Sequence, residues 1–399
     1  MKRNKLKIWL ISRLDQSVII AEHLNKQGKL VQWDRFISFS ENNLLGKYFF
    51  KGTRRILSNG LSKIKSSHFL PELCGKFLKF LRYREYSKIQ DILFAKLTSL
   101  RPPVNFDIVH GQGNYSLETA LLCKKKLKKI FISDVTGQMG ITRMKQLKKV
   151  YSDFNLPLKV GISILQQRRL KEAKISDAII CPSQIVSVEL KNLGINKKKI
   201  YVVPFESPLA KDLIKKKKIF KEKKIIDLLF VGEVSVDKGV HHILSIQNKL
   251  TKNNFETRLH IVGEIKHLFL KKNTNKQNVK FYGKLHRMDL IKLYSNTDIF
   301  IFPSYTEGSA LVTYEALAAG LPLITTAAAG SINIHGLTGY TLKNCNETKM
   351  YSAVEKLISS IKLRKKFSNN AKKLTQNLLK KSYGERIENV YQKILKNVS

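Results

Sequence analysis

The stretch DIFIFPSYTEGSALVTYEALAAGLPLITT, residues 298–326, places a strand, a turn, a helix and a second strand in succession. Its first apolar run ends at Pro303, and the turn contains Glu307 and Gly308. Residues Ala310–Ala319 have a helical composition and are followed by Gly-Leu-Pro, which stops a helix. Strands that alternate with helices build a parallel sheet covered on both faces. The stretch therefore predicts a doubly wound α/β domain.

The same alternation occurs in two separate series along the 399 residues, a length that favours about two domains. A lysine-rich segment at 210–224 separates the two series, and we expect it to be a linker or an exposed insertion. The segment 382–397 predicts a terminal helix. Ligands of such sheets bind outside the carboxyl ends of the strands, so the cleft between two such domains is the expected site. The expected division is 1–205, 206–381 and 382–399.

The chain is strongly basic, with 73 Lys and Arg against 30 Asp and Glu and a net charge of +43. Such a charge favours acidic partners, whether nucleic acid, an anionic membrane or a phosphorylated ligand. A generic solvated lysine surface is the plainer interpretation. No zinc-finger, basic-zipper or Arg/aromatic pattern occurs, so we expect no specific nucleic-acid partner.

The four cysteines are far apart and form no C-x-x-C pair and no zinc spacing with histidine. They are interpreted as small buried residues in a reducing compartment. Arg13 and Asp15 interrupt the apolar N-terminal run, and no apolar run approaches the ~18 residues of a membrane span. We therefore expect a cytoplasmic protein. The cysteines are Cys74, Cys123, Cys181 and Cys345.

The segment Lys47–Tyr86 interleaves basic and aromatic residues. Its apolar side chains share one helical face, and its cations lie elsewhere. The preferred interpretation is a helix that packs this face on the first sheet, and the alternative is a helix that lies on an anionic membrane surface. The apolar residues are Leu73, Phe77, Phe80 and Leu81, and the cations are Lys76, Lys79 and Arg82.

Two glutamates eight positions apart, Glu307 and Glu315, flank a phosphate-binding pattern. Gly308 allows a ligand to approach the backbone, and Ser309 is predicted to cap a helix whose first N–H groups point outward. Carboxylates accept hydrogen bonds from hydroxyls, so the pair suits the two hydroxyl-bearing ends of a nucleotide sugar. On spacing alone, a capping acid and a surface helix residue explain the two glutamates equally well.

Residues 226–380 resemble the donor-binding half of the retaining glycosyltransferases of family 4, which have the GT-B fold. The resemblance is carried by DLLFVGEVSVDKGVHHIL, LHIVGE, VKFYGKL, the stretch quoted first and GLTGYTL, in that order. Glu307 and Glu315 match the E-x7-E pattern of the family. The first half is similar more loosely, through FDIVHG and SDAIICPSQ. The resemblance implies two Rossmann-like domains that face each other across a cleft, with a C-terminal helix that crosses back to the first.

The resemblance also implies a role for each matching residue. Glu315 is expected to bind the ribose of the donor, and Glu307 the hydroxyls of the transferred sugar. Lys238 is expected to neutralise the leaving diphosphate, because a positioned cation stabilises charge that develops on a leaving oxygen. Lys238 and Glu307 are thus the expected catalytic residues. The residues expected to offer their backbone to the diphosphate are Gly308, Ser309, Ala310 and Leu311.

Glu233, counted here among the donor-binding residues, stands where the family usually has an arginine. A carboxylate there would repel a diphosphate unless it points away or pairs with Lys238. In the first domain Arg13 occupies the place of a glycine-rich turn and adds positive charge. The acceptor side is expected to contain Arg13 with His110 and Asp134. Either Asp134 or Thr136 takes the position of a histidine that the family often has after this strand, depending on the alignment. Glu206 belongs either to the cleft or to an ordinary loop.

By this resemblance the protein is expected to be a retaining, metal-independent glycosyltransferase of the hexosyltransferase type. It would move a sugar from a nucleotide-diphosphate sugar to a hydroxyl acceptor, a glycan or a lipid-linked saccharide of cell-surface polysaccharide. No cofactor and no metal are expected, and peripheral contact with an anionic membrane is a further expectation. The alternative is a non-catalytic protein of the same fold that binds a nucleotide sugar or a polyanion.

Overall fold

The computed structural model describes residues 5–13, 16–36, 38–40, 56–83, 85–158, 164–272 and 278–398. Within these ranges two parallel sheets, of seven and six strands, form the centres of two α/β units. A short pair of parallel strands lies apart from both sheets. The expected doubly wound α/β architecture is confirmed.

The first unit has its strands in the spatial order β5-β2-β1-β6-β7-β8-β9, while β3 and β4 form the separate pair. Their bounds are β1 (Ile8–Ile11), β2 (Leu30–Phe36), β3 (Phe39–Ser40), β4 (Ile56–Leu57), β5 (Lys65–His68), β6 (Ile108–Gln112), β7 (Ile130–Asp134), β8 (Ala178–Cys181) and β9 (Ile200–Val202). Its helices are α1 (Gln16–Lys26), α2 (Asn59–Ile64), α3 (Phe69–Phe80), α4 (Tyr86–Ser99), α5 (Leu117–Leu122), α6 (Gly140–Asp153), α7 (Ile164–Ile175) and α8 (Gln184–Asn192).

The second unit has the order β12-β11-β10-β13-β14-β15. Its strands are β10 (Ile226–Val231), β11 (Thr257–Val262), β12 (Val279–Gly283), β13 (Ile299–Phe302), β14 (Leu323–Thr326) and β15 (Gly339–Leu342). Its helices, with the terminal one, are α9 (Ala210–Leu213), α10 (Val240–Lys252), α11 (Phe269–Lys272), α12 (Arg287–Asn296), α13 (Leu311–Ala319), α14 (Glu347–Ile358), α15 (Ile361–Leu379) and α16 (Tyr383–Val398).

In both sheets the chain builds outward from a central strand in one direction and then returns to build in the other. The order reverses between β1 and β6 in the first sheet and between β10 and β13 in the second. A crevice opens at the carboxyl ends of the strands wherever the order reverses in this way, and ligands of doubly wound sheets bind there. The loops that follow β1, β6, β10 and β13 are therefore the loops that can build a site.

The central strands are buried on both faces, which explains why they are apolar without alternation. All four residues of β1 are at most 1% exposed. In the second unit, Phe230 and Phe302 stack their rings 5.7 Å apart within the core. Most of the stabilisation of each unit therefore comes from packing helices on both sides of its sheet.

The terminal helix α16 crosses to the first unit, as expected. Tyr383, Ile387 and Tyr391 are fully buried in the same apolar cluster as the core of β1. The carboxylate of Glu206 accepts a hydrogen bond of 2.7 Å from the backbone N–H of Tyr383, at the first turn of the helix. Glu206 is 1% exposed and also pairs with Lys211 at 2.7 Å. Glu206 therefore anchors the start of α16 to the connection between the two units.

The lysine-rich segment 210–224 is not a plain exposed insertion. Leu213 and Phe220 are buried, and α9 packs into the core of the second unit. Lys218 donates hydrogen bonds to the carbonyls of Ser295 and Thr297, and burial lowers its pKa to about 8. Apolar residues spaced between the lysines anchor this segment, so it is a partly buried connection between the two units, while most of its lysines are exposed.

The expected packing of the basic–aromatic segment was wrong. Residues 47–55 of it lie outside the described part of the chain. Helix α3 buries Pro71, Glu72 and Gly75, whereas the face that carries Phe77 and Phe80 is turned to solvent. Of the cysteines, Cys123 and Cys181 are buried and the other two are half-buried, and all four are free thiols.

No helix in the described ranges is long and apolar enough to span a membrane. In the same ranges, no three His, Cys, Asp or Glu side chains gather as a set of metal ligands.

Candidate functional site

Lys238 and Glu307 meet at the point where the strand order of the second sheet reverses. Lys238 follows β10 and Glu307 follows β13, and the two side chains form a half-buried ion pair. Ser304 also donates to the Glu307 carboxylate, at 3.5 Å. The sequence separates these residues by 69 positions, and the parallel sheet brings them together because β10 and β13 are neighbours.

The turn that holds Lys238 depends on the glycine after it. Gly239 has φ of +69°, which side chains rarely adopt, and a Cβ there would lie 2.2 Å from the carbonyl oxygen of Pro303. The loops after β10 and β13 therefore touch backbone to backbone. This contact sets the distance between Lys238 and Glu307.

Glu315 is held by two hydroxyl groups. Ser207 donates to one carboxylate oxygen at 2.7 Å, and Tyr294 donates to the other at 3.0 Å. Burial raises the pKa of Glu315, and these hydrogen bonds offset part of the rise. Ser207 lies in the connection between the two units, so Glu315 is not the surface helix residue that its spacing alone would allow.

Ser309 does not cap the helix, which corrects the sequence-based expectation. Helix α13 begins at Leu311 with Ala310 at the N-cap, and no side chain caps it. The Ser309 hydroxyl lies 2.7 Å from the Tyr314 hydroxyl and donates to the carbonyl of Gly330 at 3.1 Å. No side chain accepts a hydrogen bond from the first N–H groups of α13. These N–H groups can therefore donate hydrogen bonds to an anionic ligand.

Glu233 does not pair with Lys238. Its carboxylate lies 3.4 Å from the ammonium of Lys266, and both side chains are more than 40% exposed. The ammonium of Lys266 thus balances the negative charge of Glu233. Because both groups are exposed, solvent screens the interaction.

The loop after β13 also touches the first unit. A Cβ on Gly308 would lie 2.1 Å from the carbonyl oxygen of Thr136 and 2.5 Å from the Cα of Gly137. Ser183, after β8, donates to the carbonyl of Gly308 at 2.5 Å. Thr306 donates to Gln138 at 2.7 Å. The two units are therefore in backbone contact at the loop after β13.

A second link between the units joins α6 to the residue before Lys238. Tyr151 donates to Asp237 at 2.7 Å, and Arg143 lies 3.2 Å from the other oxygen of that carboxylate. Burial opposes ionisation of Asp237, yet Tyr151 and the charges of Lys266 and Arg143 hold its pKa below the ordinary value. Sequence analysis missed this link, since only the position of Asp237 beside Lys238 hinted at it.

His110 and Asp134, which were expected on the acceptor side, lie next to each other. His110 is 1% exposed, its Nδ1 lies 2.6 Å from the hydroxyl of Tyr391 in α16, and its Nε2 lies 3.6 Å from Asp134. One oxygen of Asp134, Oδ1, has no hydrogen-bond partner in the described part of the chain. The structure therefore places His110 under the terminal helix and leaves a carboxylate oxygen of Asp134 unpaired.

Arg13 lies at the carboxyl end of β1, as its position after the strand predicts. Its guanidinium pairs with Asp91 and lies 3.7 Å from the centre of the Phe36 ring. Burial raises the pKa of Asp91 to about 6, although Arg13 acts in the opposite direction. The backbone N–H of Arg13 donates to Gln112 at 2.8 Å, which ties the loop after β1 to the end of β6.

The sequence analysis missed two further charged residues, which lie in α7. Arg169 in α7 donates to the carbonyl of Gly137 at 2.5 Å, and Glu172 accepts from Ser133 at 2.8 Å. Glu172 is fully buried, and burial raises its pKa to about 8. Arg169 thus fixes the segment of the first unit that touches Gly308.

Residues 211–374 match the family model described as glycosyl transferases group 1. CapM of Staphylococcus aureus, a capsular polysaccharide biosynthesis glycosyltransferase, is 28% identical over 179 residues, or 42% of this chain and 46% of CapM. The chain thus spans about half the length of this relative. N,N'-diacetylbacillosaminyl-diphospho-undecaprenol alpha-1,3-N-acetylgalactosaminyltransferase of Campylobacter jejuni is 25% identical over 316 residues, or 77% of this chain and 74% of that protein.

Among solved structures, a glycosyltransferase from Rickettsia africae superposes with a TM-score of 0.63 at 17% identity. The superposition covers 99% of this chain and 100% of the other. The protein therefore has the GT-B fold. The residues that match the family model, 211–374, lie in the second unit.

Proposed function

We propose that the protein is a retaining glycosyltransferase of family 4 that uses a nucleotide-diphosphate sugar as donor. The observation that carries this proposal is the meeting of Lys238 and Glu307 beside the N-terminus of α13. A cation, a carboxylate and unpaired helix N–H groups there match the phosphate and hydroxyl groups of such a donor.

In the proposed mechanism the donor diphosphate replaces Glu307 as the partner of Lys238. The ammonium and the amide groups of Ser309 and Leu311 stabilise the charge that develops as the glycosyl–phosphate bond breaks. The N–H of Ala310, also expected to contact the diphosphate, already donates to the carbonyl of Ala329 at 3.0 Å. The carboxylate of Glu307, released from Lys238, then accepts hydrogen bonds from the sugar. Because these groups neutralise the diphosphate, the proposed reaction requires no metal ion.

Glu315 is proposed to bind the ribose. Its oxygens accept hydroxyl donors in the nucleotide-free protein, from Ser207 and Tyr294. Ribose hydroxyls are chemically equivalent donors and would share or displace them. Glu233 is proposed to stay paired with Lys266, away from the diphosphate.

The acceptor is proposed to be a hydroxyl of a glycan or of a lipid-linked saccharide in cell-surface polysaccharide synthesis. The names of the two relatives, one for capsular polysaccharide and one for diphospho-undecaprenol, support this class. Asp134 is the proposed contact of the acceptor hydroxyl, since its buried Oδ1 oxygen has no donor among the described residues. A lipid-linked acceptor implies work at the cytoplasmic face of a membrane. Domain bounds of 1–205, 206–381 and 382–399 are proposed with this function.

Thermal unfolding with UDP, GDP, ADP, TDP and CDP tests the donor site. A ligand at about 100 times its Kd adds roughly 2.7 kcal/mol to the free energy of unfolding. We expect one diphosphate to raise the melting temperature of the wild type and to have no effect on Glu315→Ala. Glu256→Gln is the matched control, because Glu256 pairs with Lys224 at the amino end of the same sheet.

Three results would reject the proposal. In the first, no diphosphate stabilises the protein. In the second, the diphosphate stabilises Glu315→Ala as strongly as it stabilises the wild type and the Glu256→Gln control. In the third, all five diphosphates stabilise equally and only at low salt, which is the behaviour of a polyanion binder. Stabilisation by one diphosphate without transfer to any acceptor would favour the non-catalytic alternative.

A further inference from the structure

Helix α3 and the residue after it present a continuous apolar face to solvent. Phe77 is 60% exposed and Phe80 82% exposed. Large exposed apolar patches are rare on soluble proteins and mark sites of interaction with a protein or a membrane. This surface, the α3 face, consists of Phe69, Leu70, Leu73, Phe77, Phe80 and Leu81, each at least 53% exposed.

The helix is held in place by its other side. Pro71, Glu72 and Gly75 are buried, and a Cβ on Gly75 would meet the side chain of Gln90 in α4 at 2.7 Å. Helices α3 and α4 therefore pack closely, with Gly75 at the contact. The α3 face is thus the side of the helix that the protein itself does not cover.

Within Phe69–Tyr83, every exposed charge beside the α3 face is positive, and the next exposed acid, Glu85, is paired with Lys88. Lys76, Lys79 and Arg82 are exposed, and the one acid within Phe69–Tyr83 is Glu72, which is 3% exposed. An apolar face bordered by cations is the pattern of a helix that lies in the headgroup region of an anionic bilayer. A second copy of the same face would instead bring like charges together, since a two-fold interface pairs each patch with itself.

The position of α3 fits this interpretation. The helix begins directly after His68, the last residue of β5. All strands of the first sheet are parallel, so this carboxyl end lies at the same edge as Arg13 and Asp134. The α3 face therefore starts at the acceptor-side edge of the first unit.

We infer that the α3 face docks the protein on an anionic membrane surface, with Phe77 and Phe80 inserted among the headgroups. The bordering cations face anionic lipid. Docking needs no sugar donor, so it can be tested separately from the proposed glycosyl transfer. If both hold, docking brings the proposed acceptor side to the membrane.

Flotation with vesicles in the absence of nucleotide tests the inference. Vesicles of phosphatidylcholine alone are compared with vesicles that also contain phosphatidylglycerol. We expect binding to the anionic vesicles, a loss of more than about tenfold for Phe77→Ser/Phe80→Ser, and a loss of roughly fivefold per charge for Lys76→Gln/Lys79→Gln. Circular dichroism and a melting curve check that each variant is folded.

Matched controls lie in the second unit. Leu268→Ser/Met288→Ser removes exposed apolar side chains, and Lys365→Gln/Lys366→Gln removes exposed cations. Both controls are expected to float like the wild type. Wild type that stays unbound, or a lysine control that loses as much binding as Lys76→Gln/Lys79→Gln, would overturn the inference. Concentration-dependent dimerisation that Phe77→Ser/Phe80→Ser abolishes, without vesicle binding, would assign the face to a second copy instead.

Discussion

Gly308→Ala tests whether contact between the two units is required for activity. The added Cβ would lie 2.1 Å from the carbonyl oxygen of Thr136 and 2.5 Å from the Cα of Gly137. Both neighbours are backbone atoms of the first unit, so no side-chain rotation relieves the clash. The units would have to separate by at least about 1.3 Å before the contact with the Thr136 oxygen reached ordinary van der Waals distance.

The magnitude follows from the cost of overpacking. Adding one methyl group to a close-packed contact costs about 1–3 kcal/mol, which corresponds to about 5- to 150-fold in an equilibrium constant. If transfer occurs in the closed arrangement, kcat/KM should fall by up to this factor. The separated units should also increase the radius of gyration in small-angle X-ray scattering.

Gly137→Ala is the matched control from the opposite side of the same contact. A Cβ on Gly137 would lie 3.9 Å from the Cα of Gly308, which is an ordinary van der Waals distance. We therefore expect Gly137→Ala to keep wild-type kcat/KM and scattering. A loss of donor contact alone would raise KM for Gly308→Ala and leave the scattering unchanged. Equal behaviour of the two variants in both assays would refute the argument.

Three further predictions concern charged and hydroxyl groups. Glu315→Gln should raise the melting temperature of the nucleotide-free protein, because burial raises the pKa of Glu315, and should abolish stabilisation by the diphosphate. Glu172→Gln should flatten the pH dependence of stability. With a pKa raised from 4.5 to about 8, folded Glu172 holds a proton that the unfolded chain releases, so the wild-type free energy of unfolding should fall as pH rises across that window. Tyr151→Phe should lower kcat/KM by about 5- to 150-fold and leave nucleotide affinity unchanged. This factor corresponds to the roughly 1–3 kcal/mol that it costs to remove the hydrogen-bond partner of a buried group.

Each of these predictions has a result that contradicts it. For Glu315→Gln it is a lower melting temperature with nucleotide stabilisation intact. For Glu172→Gln, denaturant titrations between pH 5 and pH 8 would show the same slope as the wild type. For Tyr151→Phe, a change in nucleotide affinity without a change in kcat would place Tyr151 in binding rather than in the positioning of Asp237 and Lys238.

The strand–helix alternation of the sequence determined the fold class, because burial on both faces makes parallel strands apolar. The stretch 298–326 also revealed Glu307 and Glu315, because the strand, the turn and the helix that contain them are consecutive in the sequence. Lys238, in the turn that follows β10, was identified through the resemblance of DLLFVGEVSVDKGVHHIL to the family. These features are local, and local sequence specifies them.

Contacts between loops of neighbouring strands, and contacts between the two units, were decided only by the tertiary structure. Ser309 has the composition of an N-cap, yet Tyr314 and Gly330 take its hydroxyl, and the helix begins two residues later. The ion pair of Lys238 with Glu307 and the link from Tyr151 to Asp237 join residues 69 and 86 positions apart.

The α3 face shows the same limit. Its helical periodicity identified Phe77 and Phe80 as one face, but periodicity describes a helix and not its surroundings. Which side of α3 is buried depends on where α4 packs, and α4 covers Gly75. Sequence alone therefore determined the amphipathic helix, and only the packing of neighbouring elements decided that its apolar face lies in solvent.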